Sequence, residues 1–434
     1  MAAAGSAVGL GNIWRFPTQV AANGGAAFLL IYLICTFLIG YPVMMAELTI
    51  GRKTRKNPVG AFKALSGKNK LYPLIGMWGI ICGVMILSFY TVVAGWTFSY
   101  VFEELFHFLG MNGWADSFGN IGSGVNNAIF SIIFMAATIS IITGGVSDGI
   151  EKATKTMMPL LILLLLILIG YVVMQPGSEV GLTEYLKPDL SKINAELIFA
   201  AMGQAFFSLS LGMGALITYG SYLNKKENIA SAAAYVTLFD AGIAFLAGLL
   251  IIPAMYMAQA KGVEIFTQSG ALKAGPALIF QVLPELFHGL GGVWGLIFGV
   301  AFFLLLSIAA LTSTISLLEV PVAYAIDEFG IRRKKAALYI GIGILIISVI
   351  ISFDTAFISF VDLVFSQIGL PLGGLLICLF LAYVWKTDNA LSEMEQGYPN
   401  VRQTLIGKVW PVFMWVIAPF IILYNLVSTL LNVL

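Results

Sequence analysis

Residues 5–17, GSAVGLGNIWRFP, form a stretch that is apolar enough for a membrane helix but contains three glycines, an asparagine and an arginine. A glycine inside a helix costs roughly 1 kcal/mol relative to alanine. In lipid, every N–H or C=O group released from a helix must find another partner, because no water is available there. The stretch therefore predicts a broken membrane helix whose backbone is in contact with something other than lipid.

The composition places the rest of the chain in the membrane as well. Of its 434 residues, 59% are hydrophobic and 10% are charged, and the mean hydropathy of +0.94 is outside the range of soluble domains. About 20 apolar residues suffice to span a bilayer. Eleven such spans are predicted, and no soluble domain is left over. After residues 5–17 they cover residues 25–51, 72–106, 126–144, 155–175, 194–222, 229–259, 291–326, 336–353, 356–385 and 406–433.

Basic residues are distributed unevenly between the loops. Alternate loops contain 18 of the 23 Lys and Arg residues, and short loops rich in these residues stay in the cytoplasm. We therefore expect a multi-pass protein of the cell inner membrane with a cytoplasmic N-terminus and, after an odd number of spans, a C-terminus outside. The net charge of +1 does not indicate a nucleic-acid partner. The lipid bilayer is the expected surrounding, and no obligate protein partner is evident.

Only one other predicted span is interrupted in the same way. Residues 203–214, GQAFFSLSLGMG, place glycines and serines in the middle of an apolar segment. This is the sixth span, five after the first, and broken helices at matching positions indicate a transporter built from inverted repeats. The predicted fold is an all-α polytopic membrane protein with two inverted five-helix repeats at residues 1–175 and 194–385, broken first and sixth helices, and one extra helix at residues 406–433.

Broken helices provide binding groups for ions of both signs. A half-helix that starts after a break directs free N–H groups and a positive dipole end towards an anion, whereas unwound carbonyl groups coordinate a cation. Such a site suits a zwitterionic amino acid together with a small hard cation. The four hydroxyl residues within TSTIS, residues 312–316, add the oxygen ligands that a hard cation prefers. Two alternatives stay open: the glycines only allow close helix packing, and the hydroxyls only bond to the preceding turn.

Charged groups near the bilayer centre cost about 3 kcal/mol or more, so each is a candidate functional residue. Asp240 has no basic neighbour in the sequence and is expected to bind a cation or to be protonated. Asp362 lies at a depth similar to that of Arg15, so these two side chains are expected to pair across an outer vestibule. For Glu47 and Glu319, a structural and a functional role both stay open.

Motifs along the whole chain occur in a specific combination. They are VGLGNIWRFP at residues 8–17, NGGAAF at 23–28, Pro42 through Gly51-Arg52, Trp96 after Phe89-Tyr90, the stretch 206–214, Gly275-Pro276 with Pro284, and Thr312-Ser313. This combination resembles the neurotransmitter:sodium symporter family, above all its bacterial amino-acid carriers, a subset of which has eleven spans. The resemblance implies sodium-coupled symport of an amino acid into the cell by alternating access.

The resemblance also implies the site residues and two sodium ions. One ion would be held by the substrate carboxylate with Ala7, Asn12, Ser208 and Asp240, and the second by Gly5, Val8, Ala309, Thr312 and Ser313. The substrate carboxylate would meet the amides of Leu10 and Gly11 and the Tyr90 hydroxyl, and the ammonium group the carbonyls of Ala7, Phe207 and Ser208. The side-chain pocket would be lined by Ile86, Tyr90, Phe207, Ser210, Met213, Ser313 and Leu317.

The same resemblance implies two gates. Arg15 with Asp362 would form the outer gate, beneath which Phe207 closes over the substrate, and Asp327 would supply the acidic half of an inner gate. Only four residues precede Gly5, whereas a half-helix that crosses about 15 Å needs about ten residues. The inner half of the first helix, and with it the basic partner of Asp327, is therefore expected to be absent.

Two features narrow the expected function. Asp240 occupies the position where chloride-dependent members carry an asparagine, which predicts no chloride requirement. The pocket residues include Met213 and Leu317 and no charged side chain outside the sodium site, which favours a neutral hydrophobic L-amino acid, aromatic or large aliphatic. The alternatives are a non-transporting amino-acid sensor or receptor on the same fold, or an uncoupled carrier with an incomplete first helix. No HExxH, GxSxG or aspartate-pair motif occurs, so an enzyme is not expected.

Overall fold

The computed structural model describes residues 8–67, 69–266, 272, 275–276 and 278–433, and in these residues the regular secondary structure is helical. A single isolated bridge joins Phe266 to Leu272. The all-α fold predicted from the apolar spans is therefore confirmed. Gly5 and Ala7, which the sequence assigned to the sodium and substrate sites, lie outside the described residues.

The first and the sixth of the eleven predicted spans consist of shorter helices than the others in the described residues. α1 covers residues 11–22 as a π-helical turn, Gly11–Arg15, followed by the helix Phe16–Ala22. α6 consists of α6a, Ala195–Ser208, and α6b, Ala215–Tyr222, which are separated by residues 209–214. The break in α6 coincides with the glycine-containing stretch 203–214 that predicted it. Residues 1–7 lie outside the described residues, so the break predicted in the first span stays a prediction.

Nine further helices in the described part of the chain are long and apolar enough to cross a membrane. They are α2 (Ala26–Thr54), α3 (Pro73–Phe108), α4 (Gly124–Thr143), α5 (Val146–Val173), α7 (Ile229–Ala260), α8 (Gly292–Phe329), α9 (Arg333–Phe353), α10 (Ala356–Met394) and α11 (Leu405–Leu431). Shorter helices lie in the connections at Pro58–Leu65, Asn112–Gly119, Ser178–Leu186 and Leu278–Leu290.

The predicted boundaries were least accurate where polar residues continue a helix. α5 begins at Val146 and not at residue 155, because the polar residues 146–151 form a π-helical turn that leads into the apolar run. α10 likewise continues beyond residue 385 through the polar helix Thr387–Met394. Composition marks the apolar part of a span, whereas the hydrogen-bonded helix extends past it.

Helix packing relates the two halves of the chain. α1 packs against α7, and α6 packs against α2. Because α1 and α2 occupy the same positions in the first half as α6 and α7 in the second, these two contacts are equivalent. The contacts of α3 with α10 and of α8 with α5 correspond in the same way, while α3 pairs with α8 and α4 with α9. This is the packing of two inverted five-helix repeats. The repeat boundaries at residues 1–175 and 194–385 stay predictions, and α11 (predicted at 406–433) packs on α10.

The helices differ in how much of their surface neighbouring helices cover. The most apolar stretch of α3 is 72% buried, whereas those of α5 and α11 are only 33% buried. Leucine, isoleucine and phenylalanine side chains cover the exposed faces, for example Ile167 and Phe420. Exposed apolar surface of this extent is suited to lipid. α3 therefore belongs to the centre of the bundle and α5 and α11 to its periphery.

The break in α6 is held by a buried carboxylate. Gly212 adopts a φ of +79°, and a Cβ atom there would lie 2.2 Å from the carbonyl oxygen of Leu370, so the position requires glycine. The Gly212 N–H group donates a hydrogen bond of 2.7 Å to Oε1 of Glu47, which is fully buried. Glu47 thus binds a backbone group that the break removes from the helix, which is a structural role.

Candidate functional site

The first residues of α1 expose backbone groups that bind polar side chains of neighbouring helices. The Leu10 N–H group donates to the Tyr90 hydroxyl of α3 at 2.8 Å. On the other side, Nε2 of Gln204 in α6a donates to the Gly11 carbonyl at 2.8 Å. The backbone of residues 5–17 was predicted to contact something other than lipid, and these partners are buried protein groups.

Three of the residues predicted to hold the first sodium ion converge beside the start of α1. Asn12 Nδ2 donates to Oδ1 of Asp240 at 2.7 Å and to Oγ of Ser208 at 3.1 Å. The Ser208 hydroxyl lies 2.9 and 3.0 Å from the two carboxylate oxygens. Tyr32 of α2 adds a hydroxyl donor, 3.3 Å from Oδ2 of Asp240. Residues from four helices, α1, α2, α6a and α7, therefore meet at one carboxylate.

The charge of this carboxylate is compensated only by neutral groups. Asp240, Asn12 and Tyr32 are fully buried and Ser208 is 2% exposed. None of the ion pairs found among the described residues includes Asp240. A buried carboxylate without a cationic partner is costly, and oxygen atoms of this kind are the ligands of hard cations. The Asp240 carboxylate and the Ser208 hydroxyl are therefore suited to a sodium ion, whereas Asn12 directs its amide nitrogen towards them and its Oδ1 accepts a hydrogen bond from the Gly9 N–H at 2.9 Å.

Residues predicted for the second sodium ion meet between α1 and α8. The Thr312 hydroxyl donates to the carbonyl oxygens of Val8 and Ala309, each at 2.8 Å. All three residues are buried, with at most 2% exposure. The Thr312 hydroxyl and the carbonyls of Val8 and Ala309 thus lie at hydrogen-bond distance where the start of α1 meets α8. They too are oxygen ligands suited to a hard cation. Ser313 follows Thr312 and lines the adjacent pocket.

A pocket lies between the two clusters. It contains nine of the residues predicted to bind the substrate, and it adds Ser316. The lining residues are Gly11, Ile86, Tyr90, Phe207, Ser208, Ser210, Met213, Ser313, Ser316 and Leu317. None of them carries a formal charge. The free space in this pocket is only about 20 Å³, enough for about one water molecule, so its side chains must move apart to admit an amino acid.

An ion pair and an aromatic ring separate this pocket from a polar cavity. Arg15 Nη1 lies 2.7 Å from Oδ1 of Asp362, and its guanidinium carbon lies 4.2 Å above the centre of the Phe207 ring. The cavity on the far side has a volume of about 270 Å³ and is lined in part by Arg15, Gln19 and Gln367. The three predicted outer-gate residues are thus in contact, and their gating role stays a prediction.

The predicted inner-gate residue has a different set of contacts. Oδ2 of Asp327 accepts hydrogen bonds from the backbone N–H of Asn57 at 2.8 Å and from Asn57 Nδ2 at 3.2 Å, at the start of the helix Pro58–Leu65. Within the described residues Asp327 forms no ion pair with a Lys or Arg side chain. A negative charge at a helix N-terminus is favourable in itself, so this contact is sufficient to hold Asp327. A role in an inner gate stays a prediction.

Sequence reasoning missed three residues of the site. Ser316 was part of the hydroxyl run in α8 but was not assigned to the pocket. Tyr32 lies between apolar neighbours in the predicted span 25–51, and Gln204 lies in the sixth span just before its break. An isolated polar residue in a membrane span is itself a signal, because lipid offers it no hydrogen-bond partner.

Comparison with known proteins gives the same assignment as the site geometry. The family model described as "Sodium:neurotransmitter symporter family" matches residues 1–120 and 106–433. Among curated proteins, the uncharacterised sodium-dependent transporter YhdH of Bacillus subtilis is 34% identical over 92% of this chain and 88% of its own length. The sodium-dependent dopamine transporter of Caenorhabditis elegans is 24% identical over 99% of this chain and 78% of its own.

A solved structure is similar over almost the entire chain. The crystal structure of MhsT in complex with L-phenylalanine has a TM-score of 0.86 and 39% sequence identity, and the match covers 99% of this chain and 97% of that one. The fold and the membrane location therefore rest on structure as well as on composition.

Proposed function

The chain belongs to the sodium:neurotransmitter symporter family and is a sodium-coupled transporter, and on this premise we propose that it carries a neutral hydrophobic L-amino acid into the cell. The proposed substrates are aromatic or large aliphatic amino acids. The proposed process is transport by alternating access, not a chemical reaction. Its proposed location is the cell inner membrane, with the N-terminus in the cytoplasm and the C-terminus outside.

The observation that carries this proposal is the pocket between two oxygen clusters. Its lining combines hydroxyl groups with the apolar side chains of Ile86, Met213 and Leu317. Burial in this pocket stabilises an apolar substrate side chain, whereas a charged substrate side chain would be buried without a partner. MhsT, which is 39% identical, was crystallised with L-phenylalanine, and this supports the same substrate class.

Two sodium ions are proposed, one at each oxygen cluster. At the first cluster Asp240, Ser208 and Asn12 hold the ion, and the substrate carboxylate completes its ligand set. At the second, the carbonyls of Val8 and Ala309 and the Thr312 hydroxyl hold the other. Because the substrate carboxylate is itself a ligand of the first ion, binding of the ion favours binding of the substrate and the reverse. This couples their movement. The carboxylate of Asp240 provides a fixed negative charge, so no chloride ion is required.

Uptake into proteoliposomes tests this proposal. The purified protein is reconstituted, and accumulation of radiolabelled L-phenylalanine and L-leucine is compared with that of L-glutamate and L-lysine under an inward sodium gradient. We expect accumulation of the first pair only, and only with sodium. Binding without accumulation would instead favour an amino-acid sensor. Sodium-independent entry that stops when the inside and outside concentrations are equal would indicate an uncoupled carrier.

A further inference from the structure

A second group of ionisable side chains lies away from the substrate pocket, at the end of α3. Glu103 and Glu104 belong to the last turns of that helix, and His288 belongs to the helix Leu278–Leu290 in the connection before α8. His288 Nε2 lies 3.4 Å from Oε1 of Glu103 and 3.4 Å from Oε2 of Glu104. The three ligand-type atoms all lie within 4.8 Å of one another. Two separate segments thus contribute to one cluster.

These side chains are buried but poorly hydrogen-bonded. Glu103 and Glu104 are 7% and 2% exposed. Oε2 of Glu103, Oε1 of Glu104 and Nε2 of His288 have no hydrogen-bond partner in the described part of the chain. Buried polar atoms in proteins are nearly always hydrogen-bonded, so three orphan atoms at one place need an explanation. A ligand that binds oxygen and nitrogen atoms together would provide one.

The charge of the cluster also points to a cation. The two carboxylates can carry a charge of −2, and no Lys or Arg forms an ion pair with either of them among the described residues. A protonated imidazole neutralises only one of the two negative charges. The site is therefore deficient in positive charge even when His288 is charged.

The distances identify the class of cation. Bonds of about 2.0–2.2 Å in a tetrahedral zinc site place neighbouring ligand atoms about 3.3–3.5 Å apart. The two separations of 3.4 Å from His288 Nε2 equal this spacing, although they are long for hydrogen bonds. One imidazole and two carboxylates are a common zinc ligand set, whereas calcium takes six to eight oxygen ligands. A transition metal of the Zn²⁺ type fits better than calcium or magnesium.

The surroundings of the cluster leave room for a fourth ligand and a route of entry. A cavity of about 220 Å³ adjoins it, lined in part by Glu104, His107 and His288. The His107 ring stacks on the His288 ring with their centres 3.5 Å apart and their planes 5° from parallel, which fixes the orientation of the imidazole. Gly299 of α8 provides the space for the Glu104 carboxylate, because a Cβ atom there would lie 2.3 Å from it.

We propose that Glu103, Glu104 and His288 form a binding site for a divalent transition-metal ion of the Zn²⁺ class. Water from the adjoining cavity supplies the fourth ligand. The ion joins α3 to the helix Leu278–Leu290 and so opposes relative movement of these two segments. If the protein transports by alternating access, as proposed above, occupation of this site slows uptake. Metal binding itself does not depend on that function.

The test is a titration of the purified full-length protein after treatment with a chelator. Isothermal titration with ZnCl₂ is expected to show one ion per chain, and CoCl₂ is expected to give the visible absorption of a tetrahedral nitrogen–oxygen site. Calcium and magnesium should not compete. His288→Gln and Glu104→Gln are each expected to weaken Zn²⁺ binding at least tenfold, because each removes one ligand.

Two control variants remove neighbouring groups that are not ligands. Glu285→Gln removes an exposed carboxylate from the same helix as His288, and His107→Phe keeps an aromatic ring stacked on His288. Both should bind Zn²⁺ as the wild type does. The proposal is overturned if the wild type does not bind Zn²⁺, or if His288→Gln and Glu104→Gln bind it as tightly as the wild type. The three side chains would then be a cluster whose charge is neutralised by protons.

A further variant covers the case in which Glu104→Gln does not fold. Gly299→Ala retains all three ligands but displaces the Glu104 carboxylate, and it should also weaken Zn²⁺ binding. Sodium-dependent binding of L-phenylalanine, measured without zinc, reports whether each variant is folded. If that binding is absent even from the wild type, the proposed function fails while the metal titration still decides the proposed metal site.

Discussion

Two buried carboxylates, Asp240 of α7 and Glu319 of α8, differ in what compensates their charge. Both are fully buried. Glu319 accepts two hydrogen bonds from the guanidinium group of Arg333, at 2.7 and 2.9 Å, and a third from the Tyr222 hydroxyl at 2.7 Å. Asp240 is bound only by hydroxyl and amide groups, which are neutral. One carboxylate has a permanent cationic partner, and the other has none.

This difference separates a structural carboxylate from one suited to reversible binding. A guanidinium that belongs to the chain cannot dissociate from the protein, so Glu319 has a cationic partner without a bound ion. At Asp240 a mobile cation can take the part that Arg333 takes at Glu319, and it can leave again. For Glu319 the sequence left a structural and a functional role open, and the bidentate pair favours the structural one.

The largest effect is expected from breaking the permanent pair. Arg333→Gln leaves a buried carboxylate without its cation, and we expect the free energy of unfolding to fall by about 3 kcal/mol. Denaturant unfolding in detergent measures the change. The double variant Arg333→Gln with Glu319→Gln should recover most of the loss, because no unpaired charge remains. Equal stability of the single variant and the wild type would show that the pair does not stabilise the protein.

The second effect concerns the carboxylate without a partner. Asp240→Asn should weaken apparent sodium affinity roughly ten- to a hundredfold, because a charge-assisted interaction is lost, and chloride should then stimulate uptake by replacing the fixed charge. Uptake is measured against sodium concentration with chloride or gluconate as the anion. Glu319→Gln is the matched control, since it also neutralises a buried carboxylate but should leave sodium affinity unchanged. Wild-type sodium dependence without chloride stimulation in Asp240→Asn would contradict the assignment.

A smaller effect is expected at the second oxygen cluster. Thr312→Val removes the hydroxyl that joins Val8 to α8 and keeps the shape of the side chain, so sodium affinity should fall by roughly fivefold to tenfold, the worth of one hydrogen bond. Thr314→Val is the matched control on the same helix. The Thr314 hydroxyl lies 2.8 Å from the Thr138 hydroxyl and is not part of the cluster. The sodium dependence of substrate binding measures both. A similar loss in the two variants would argue against a sodium site at Thr312.

The smallest effect is expected at the edge of the first cluster. Tyr32 donates to Asp240 over 3.3 Å, a long hydrogen bond. Tyr32→Phe should therefore change sodium affinity by only about twofold to threefold. Sodium-dependent uptake at several sodium concentrations detects such a shift. A loss as large as that of Asp240→Asn would mean that Tyr32 does more than orient the carboxylate.

The sequence predicted features that depend on neighbouring residues in the chain. Nine of the eleven apolar runs that predicted spans form long helices, and the glycines within residues 203–214 predicted the break in α6, because both lipid solubility and backbone flexibility are local properties. The resemblance to a family supplied the residues of the pocket and of the two clusters. Local patterns did not predict that Ser316 and Tyr32 join them, because this depends on how α2 and α8 pack.

The membrane class, the nine long helices and the position of the break in α6 were determined by the sequence alone, since hydrophobicity and helix propensity act over a few residues. Tertiary structure decided which polar groups are partners. Asp240 meets Asn12 from 228 positions away, while Glu319 meets Arg333 from the next helix. The energetic difference between a paired and an unpaired buried charge depends on these contacts, and it is this difference that distinguishes the proposed sodium site from a structural ion pair.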